Sequence, residues 1–149
     1  MKTLVAFYSR SGNTKRVANK ISKILKADTD EIIDLKDRSG IIGWLIGGKD
    51  ASTNKSTEIK NKLNPEKYGL VVIGTPIWAW TAAPAVKVYL KKYALRKKVA
   101  FFCTCGGQLG KCFTEMEKLS KKPLAVLELR DKKLDSSDNE ISEFCRKLR

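Results

Sequence analysis

Short apolar runs recur along this chain, and the segments between them carry apolar residues at helical spacing. The runs are Leu4 to Tyr8, Asp30 to Leu35, Tyr68 to Gly74, Val99 to Cys103, and the stretch containing Leu124, Val126, Leu127 and Leu129. Tyr68-Gly69-Leu70-Val71-Val72-Ile73-Gly74 is the strongest of them, uninterrupted and rich in β-branched residues, as a central strand covered on both faces requires. Between the runs, Val17, Ala18, Ile21, Ile24 and Leu25 mark one face of a helix. Pro84 suits a first helical position, with Val88, Tyr89 and the stem of Lys92 continuing an apolar stripe. Leu109, Cys112, Phe113, Met116 and Leu119 predict a further helix, and Ile141, Phe144, Cys145 and Leu148 a last one.

Strands that alternate with helices predict an α/β fold: three layers, with an open five-stranded, mostly parallel sheet between two layers of helices. At 149 residues the chain is expected to form a single domain over residues 1–149. Two stretches fit the pattern less well. Ser39 to Ala51 holds Gly40, Gly43, Gly47 and Gly48 among Ile41, Ile42, Trp44, Leu45 and Ile46, which reads as a short helical turn followed by a loop, either core filler or a lid. Glu58, Ile59, Lys62 and Leu63 form a weak amphipathic segment that ends at Pro65.

Composition excludes several chemistries. Histidine is absent, which removes the commonest metal ligand and general base. Cys103, Cys105, Cys112 and Cys145 lie inside apolar patterns and read as reduced, although Cys103 and Cys105 stand close enough in sequence to raise a redox pair as the alternative. The apolar runs are too short to span a bilayer, and Ser9-Arg10 interrupts the first before a signal-peptide core could form, so a cytoplasmic protein is expected. A net charge of +14 favours acidic partners. Nucleic acid is the weaker candidate among them, because basic segments interleaved with aromatics are missing.

In an open parallel sheet, ligands bind beyond the carboxyl ends of the strands where the strand order reverses. Ser9-Arg10-Ser11-Gly12-Asn13-Thr14 joins the first strand to the first helix there. Hydroxyls, an amide, a glycine and the bare N–H groups of a helix start make a phosphate cradle, with Arg10 and Lys15 supplying positive charge. The same residues also make an ordinary helix N-cap, so both readings stand. Thr75 to Thr81, with Trp78 and Trp80, follows the third strand, and Thr104 to Gln108, with Gly106 and Gly107, follows the fourth. A strand order of 2-1-3-4-5 would make the three loops neighbours around a phosphorylated aromatic ligand.

With these residues in view, the chain resembles the flavodoxins along essentially its whole length. Ser9-Arg10-Ser11-Gly12-Asn13-Thr14 is similar to the family's phosphate loop, Gly74-Thr75-Pro76-Ile77-Trp78 to its first flavin-side loop, and Cys105-Gly106-Gly107 to its second. No long insertion splits the fifth strand, as in the short-chain branch. The resemblance implies FMN as cofactor. Ser9, Arg10, Ser11, Asn13 and Thr14 would hold its phosphate, with Gly12 letting the backbone curl around it. Thr75, Pro76, Ile77 and Trp78 would line the isoalloxazine, Trp78 being preferred to Trp80 for stacking. Cys105, Gly106 and Gly107 would bond the pyrimidine edge through backbone groups, with Ala79, Trp80 and Thr104 also in the cofactor site.

The resemblance further implies an electron carrier between redox proteins, and the basic surface would suit an acidic donor such as a ferredoxin. The alternative is a flavodoxin-like quinone, NAD(P)H or protoporphyrinogen oxidoreductase. Two departures from the family pattern carry expectations. Neither flavin-side loop contains Asp or Glu, and Lys111 lies just beyond the second, which predicts a less negative potential than in acidic flavodoxins. Ala79 stands in a turn where flavodoxins often have glycine, and its Cβ makes a left-handed backbone costly, which predicts weaker one-electron stabilisation.

Overall fold

The computed structural model describes residues 1–36 and 57–149. The reading of Ser39 to Ala51 lies outside the described residues. In chain order the elements are β1 (Thr3–Phe7), α1 (Asn13–Leu25), β2 (Asp28–Glu31), β3 (Ile33–Asp34), β4 (Ile59–Lys60), a 3-10 turn (Pro65–Lys67) and β5 (Leu70–Trp78). There follow β6 (Thr81–Ala82), α2 (Pro84–Tyr93), β7 (Lys98–Cys105), α3 (Cys112–Leu119), β8 (Val126–Arg130), a second 3-10 turn (Asp131–Ser136) and α4 (Asp138–Arg146).

Five strands run parallel in the order β2-β1-β5-β7-β8, which is the expected 2-1-3-4-5 order of the major runs. Alternate residues of each strand feed two cores. Leu4, Ala6, Ile73 and Phe101 meet Tyr89 and Leu90 of α2 and Met116 of α3 on one face. Val5, Phe7, Val72 and Phe102 meet Val17 and Ile21 of α1 and Ile141 and Phe144 of α4 on the other. Both faces of the sheet are thereby covered, as continuous apolar strands demand.

Three sequence expectations are corrected. The second strand starts earlier than Asp30 and stops at Glu31, because an edge strand takes its register from its neighbour rather than from its own apolar residues: Leu4 to Phe7 pair with Asp28 to Glu31. Ile33–Asp34 instead pairs antiparallel with Ile59–Lys60, so the weak amphipathic segment contains a short strand at Ile59–Lys60. The buried Asp30 carboxylate fixes this exit by accepting the N–H groups of Lys62 at 3.0 Å and Leu63 at 2.7 Å. The third strand does not end at Gly74. It runs on through Trp78 and folds back as a hairpin, with Ile77 opposite Ala82 and Trp78 opposite Thr81. In α2 the buried stripe is Ala85, Val86, Tyr89 and Leu90, while Val88 is half-buried and Lys92 is exposed. Among the described residues no helix is long and apolar enough to cross a membrane.

Candidate functional site

The ladder between β1 and β5 continues one step past β1, where the Tyr8 N–H donates to the Gly74 carbonyl at 3.1 Å. The chain then turns. Gly12 takes φ +99, its N–H donates to Ser9 Oγ at 3.1 Å, and its carbonyl accepts the first bond of α1 from the Arg16 N–H. No side chain caps α1 and no acidic residue stands in its first turn. The early N–H groups therefore lack both a helical partner and a capping oxygen, which leaves donors and partial positive charge for an anion. Lys15 contributes less than its position promises, because its ammonium pairs with Glu31 at 3.0 Å. Among the described residues, Arg10 is the cation that reaches the cleft wall.

The second wall is the end of the β5–β6 hairpin. Its two turn residues, Ala79 at φ +49 and Trp80 at φ +62, both adopt left-handed conformations. That is the geometry of a type I′ turn, which normally selects glycine or asparagine. The expected cost of a Cβ at position 79 is thus met rather than avoided: the Trp80 carbonyl is held by the Lys111 N–H at 2.8 Å. Trp78 is buried and packs edge-on against Tyr8, with ring centroids 5.4 Å apart. Trp80 is 62% exposed.

These loops and the end of β7 enclose a cleft of about 320 Å³. Arg10, Ser11 and Asn13 form its first side, Pro76, Ile77 and Trp78 its second, and Thr104, Cys105, Gly106 and Gly107 its third. The glycine pair leaves that third side open: a Cβ on Gly107 would meet nothing within 4 Å, and one on Gly106 would meet only Asp131 Oδ2 at 3.5 Å. Other residues of the motifs stand behind the wall. Thr14 is buried, with its hydroxyl 2.8 Å from that of Thr104. Thr75 is buried too, its hydroxyl donating to the Pro76 carbonyl and accepting the Ala83 N–H. Ser9, Gly12, Ala79 and Trp80 shape the loops without lining the cleft.

One wall residue escaped the sequence reading. Asp131, first residue after β8, brings a carboxylate to the cleft beside Gly106. The rule that ligands sit at strand ends applies to the fifth strand as well and could have found it. The cysteines are all free and buried. A hydrogen bond with Cys105 and burial hold the Cys103 thiol far above its ordinary range, burial does the same for Cys112, and burial pushes Cys145 up to about 11. These three stay protonated thiols at neutral pH, with little nucleophilic or redox character.

The flavodoxin family model matches residues 2–146. The chain belongs to the flavodoxin family. Among solved structures, a flavoprotein from Lactobacillus acidophilus NCFM, crystallised in complex with FMN, is 27% identical, with a TM-score of 0.71 and coverage of 95% of this chain and 98% of that one. A Bacteroides uniformis protein at 20% identity shares the fold with a TM-score of 0.80 over 97% of both chains. Oxidised flavodoxin 2 from Bacillus cereus, also 20% identical, has a TM-score of 0.63 over 99% of this chain and 97% of its own. No curated protein sequence matches. The cleft therefore lies where the fold of a flavodoxin family member predicts one, beyond the ends of β1, β5 and β7.

Proposed function

We propose that this flavodoxin-family chain binds FMN in the cleft and carries electrons between redox proteins of the cytoplasm. The observation that carries the reading is the cleft itself. An uncapped helix start with Arg10 stands on one side, an indole and an isoleucine on the second, and an open glycine pair on the third. Those chemistries match a phosphate, a flat aromatic ring and the polar edge of that ring. Bound FMN would supply reversible electron transfer. Ser11, Asn13 and the first-turn N–H groups of α1 would orient the phosphate, Ile77 and Trp78 would exclude water from the ring, and the backbone of Cys105 to Gly107 would meet its polar edge.

The positive charge of the molecule supports an acidic partner of ferredoxin type, steered by long-range attraction. The deciding experiment is reconstitution of the purified protein with FMN, followed by reduction with a reduced ferredoxin. A yellow protein with a retained flavin spectrum, and a rate that falls as salt rises, is the expected result. A colourless protein after incubation with FMN overturns FMN binding. Steady NAD(P)H oxidation with a quinone and no partner protein assigns the oxidoreductase instead of the carrier.

A further inference from the structure

We propose that Glu115, held by Lys87, is a positioning residue for the cofactor cleft: through the Thr81 hydroxyl it fixes the β5–β6 hairpin, and with it the Trp78 wall. The inference rests on the reading of the cleft as an FMN site. Its geometry lies outside the three loops. Thr81 Oγ1 donates to Glu115 Oε2, and the Lys87 ammonium stands 3.1 Å from that same oxygen. The Lys87 side chain is only 8% exposed and that of Glu115 26%, so the ammonium is shielded from water and the carboxylate partly so, between α2 and α3.

A charge placed this far from solvent is costly unless it has work and partners. Here its neighbour is the residue opposite Trp78 in the hairpin register. The next residue back, Trp80, is tied to the start of α3 by the bond from the Lys111 N–H to its carbonyl. The hairpin is therefore fastened to α3 at two successive residues, by a backbone bond at Trp80 and a charge-assisted bond at Thr81. The turn they hold consists of two left-handed residues, Ala79 and Trp80, a conformation that alanine and tryptophan hold only when their surroundings over-determine it. The Glu115 carboxyl is consistent with this arrangement. Burial alone would raise its pKa, but the Thr81 hydroxyl and the Lys87 ammonium outweigh burial and lower it, so it is ionised at neutral pH.

The test uses the full chain reconstituted with FMN, comparing wild type with Thr81→Val, Thr81→Ser, Glu115→Ala and the Thr81→Val/Glu115→Ala pair. The readouts are the FMN dissociation constant, the visible circular dichroism of the bound flavin, and the melting temperature of each apoprotein. Thr81→Val is expected to raise the dissociation constant about tenfold and to change the visible dichroism, with Thr81→Ser restoring both. The double variant should lose no more affinity than Glu115→Ala alone, because the hydroxyl acts through the carboxylate. Wild-type affinity and dichroism in Thr81→Val overturn the inference. Losses that add in the double variant, or that follow only the apoprotein melting temperature, also overturn it. A wild-type chain that fails to bind FMN overturns the functional reading and this inference with it, whereas failure of the variants alone leaves that reading standing.

Discussion

Thr14 on α1 and Thr104 on β7 meet hydroxyl to hydroxyl at 2.8 Å, both buried. The bond ties the loop that offers N–H groups to the loop that offers the glycine pair, and it spans the end of the intervening strand β5. Thr104→Val keeps the shape and removes one partner, which strands the Thr14 oxygen away from water. The expected cost is about 1–3 kcal/mol in urea unfolding of the apoprotein. Replacing both threonines by valine should recover much of that loss, since two methyl groups need no partner. A double variant as unstable as the single one would show that the pair does not act as a unit.

Asp131 carries a second prediction. It is the carboxylate on the cleft wall among the described residues, in a molecule whose net charge of +14 otherwise favours a less negative potential. A reduced, anionic cofactor would be disfavoured by that carboxylate. Asp131→Asn should therefore raise the two-electron midpoint potential of the FMN-loaded protein, on the order of tens of millivolts, measured by equilibration with reference dyes. An unchanged or lowered potential would place the Asp131 charge out of effective reach of the flavin.

The sheet order and the helix faces other than that of α2 were legible because they follow from repeated apolar spacing. Ile141, Phe144, Cys145 and Leu148 are all buried where their period put them. The second strand was not legible, because Asp28 to Glu31 is held by the backbone of β1 and by no apolar pattern of its own. Within the cleft, the three loops were found from residue type, yet the division of labour inside them was not. Nothing in the sequence separates Ser11, on the wall, from Thr14, behind it, since that depends on which side of the first helical turn each residue faces. The Lys87–Glu115–Thr81 contact was likewise invisible, because it joins three elements whose mutual approach is set by packing. Nothing in the sequence sets Lys87 apart from the other lysines of a basic chain, and the fold buries it.

Gly110 is the residue that lets the hairpin tip approach α3. It adopts φ +59, and a Cβ added there would lie 2.3 Å from both the Cβ and the carbonyl oxygen of Trp80. Both the backbone conformation and the space exclude a side chain. Gly110→Ala should cost about 1–3 kcal/mol of apoprotein stability and push Trp80 off the Lys111 N–H, with a matching fall in FMN affinity. Trp80→Gly in that background should recover part of the stability, because glycine removes the clashing Cβ and relieves the left-handed residue. Full stability in Gly110→Ala would mean that the hairpin can shift without loss.

Tyr68 supplies a prediction about alkaline pH. Its hydroxyl donates to Asp28 Oδ2 at 2.7 Å, and burial, that bond and the negative charges of Asp28 and Asp30 push its pKa from 10.0 up to about 12. The unfolded chain gives up this proton near pH 10 while the folded chain keeps it until about pH 12. Between those values the folded state binds more protons, so stability falls as pH rises. Tyr89, whose phenol is also raised by burial and by the charge of Asp30, adds a decline of the same sign. Tyr68→Phe removes one titrating group and leaves Tyr89 and the lysines in place. Urea unfolding at intervals from pH 8 to about pH 11 should therefore give a shallower alkaline decline in the variant than in the wild type. Parallel curves would mean that the Tyr68 hydroxyl titrates alike in both states, and that its bond to Asp28 does not hold the proton.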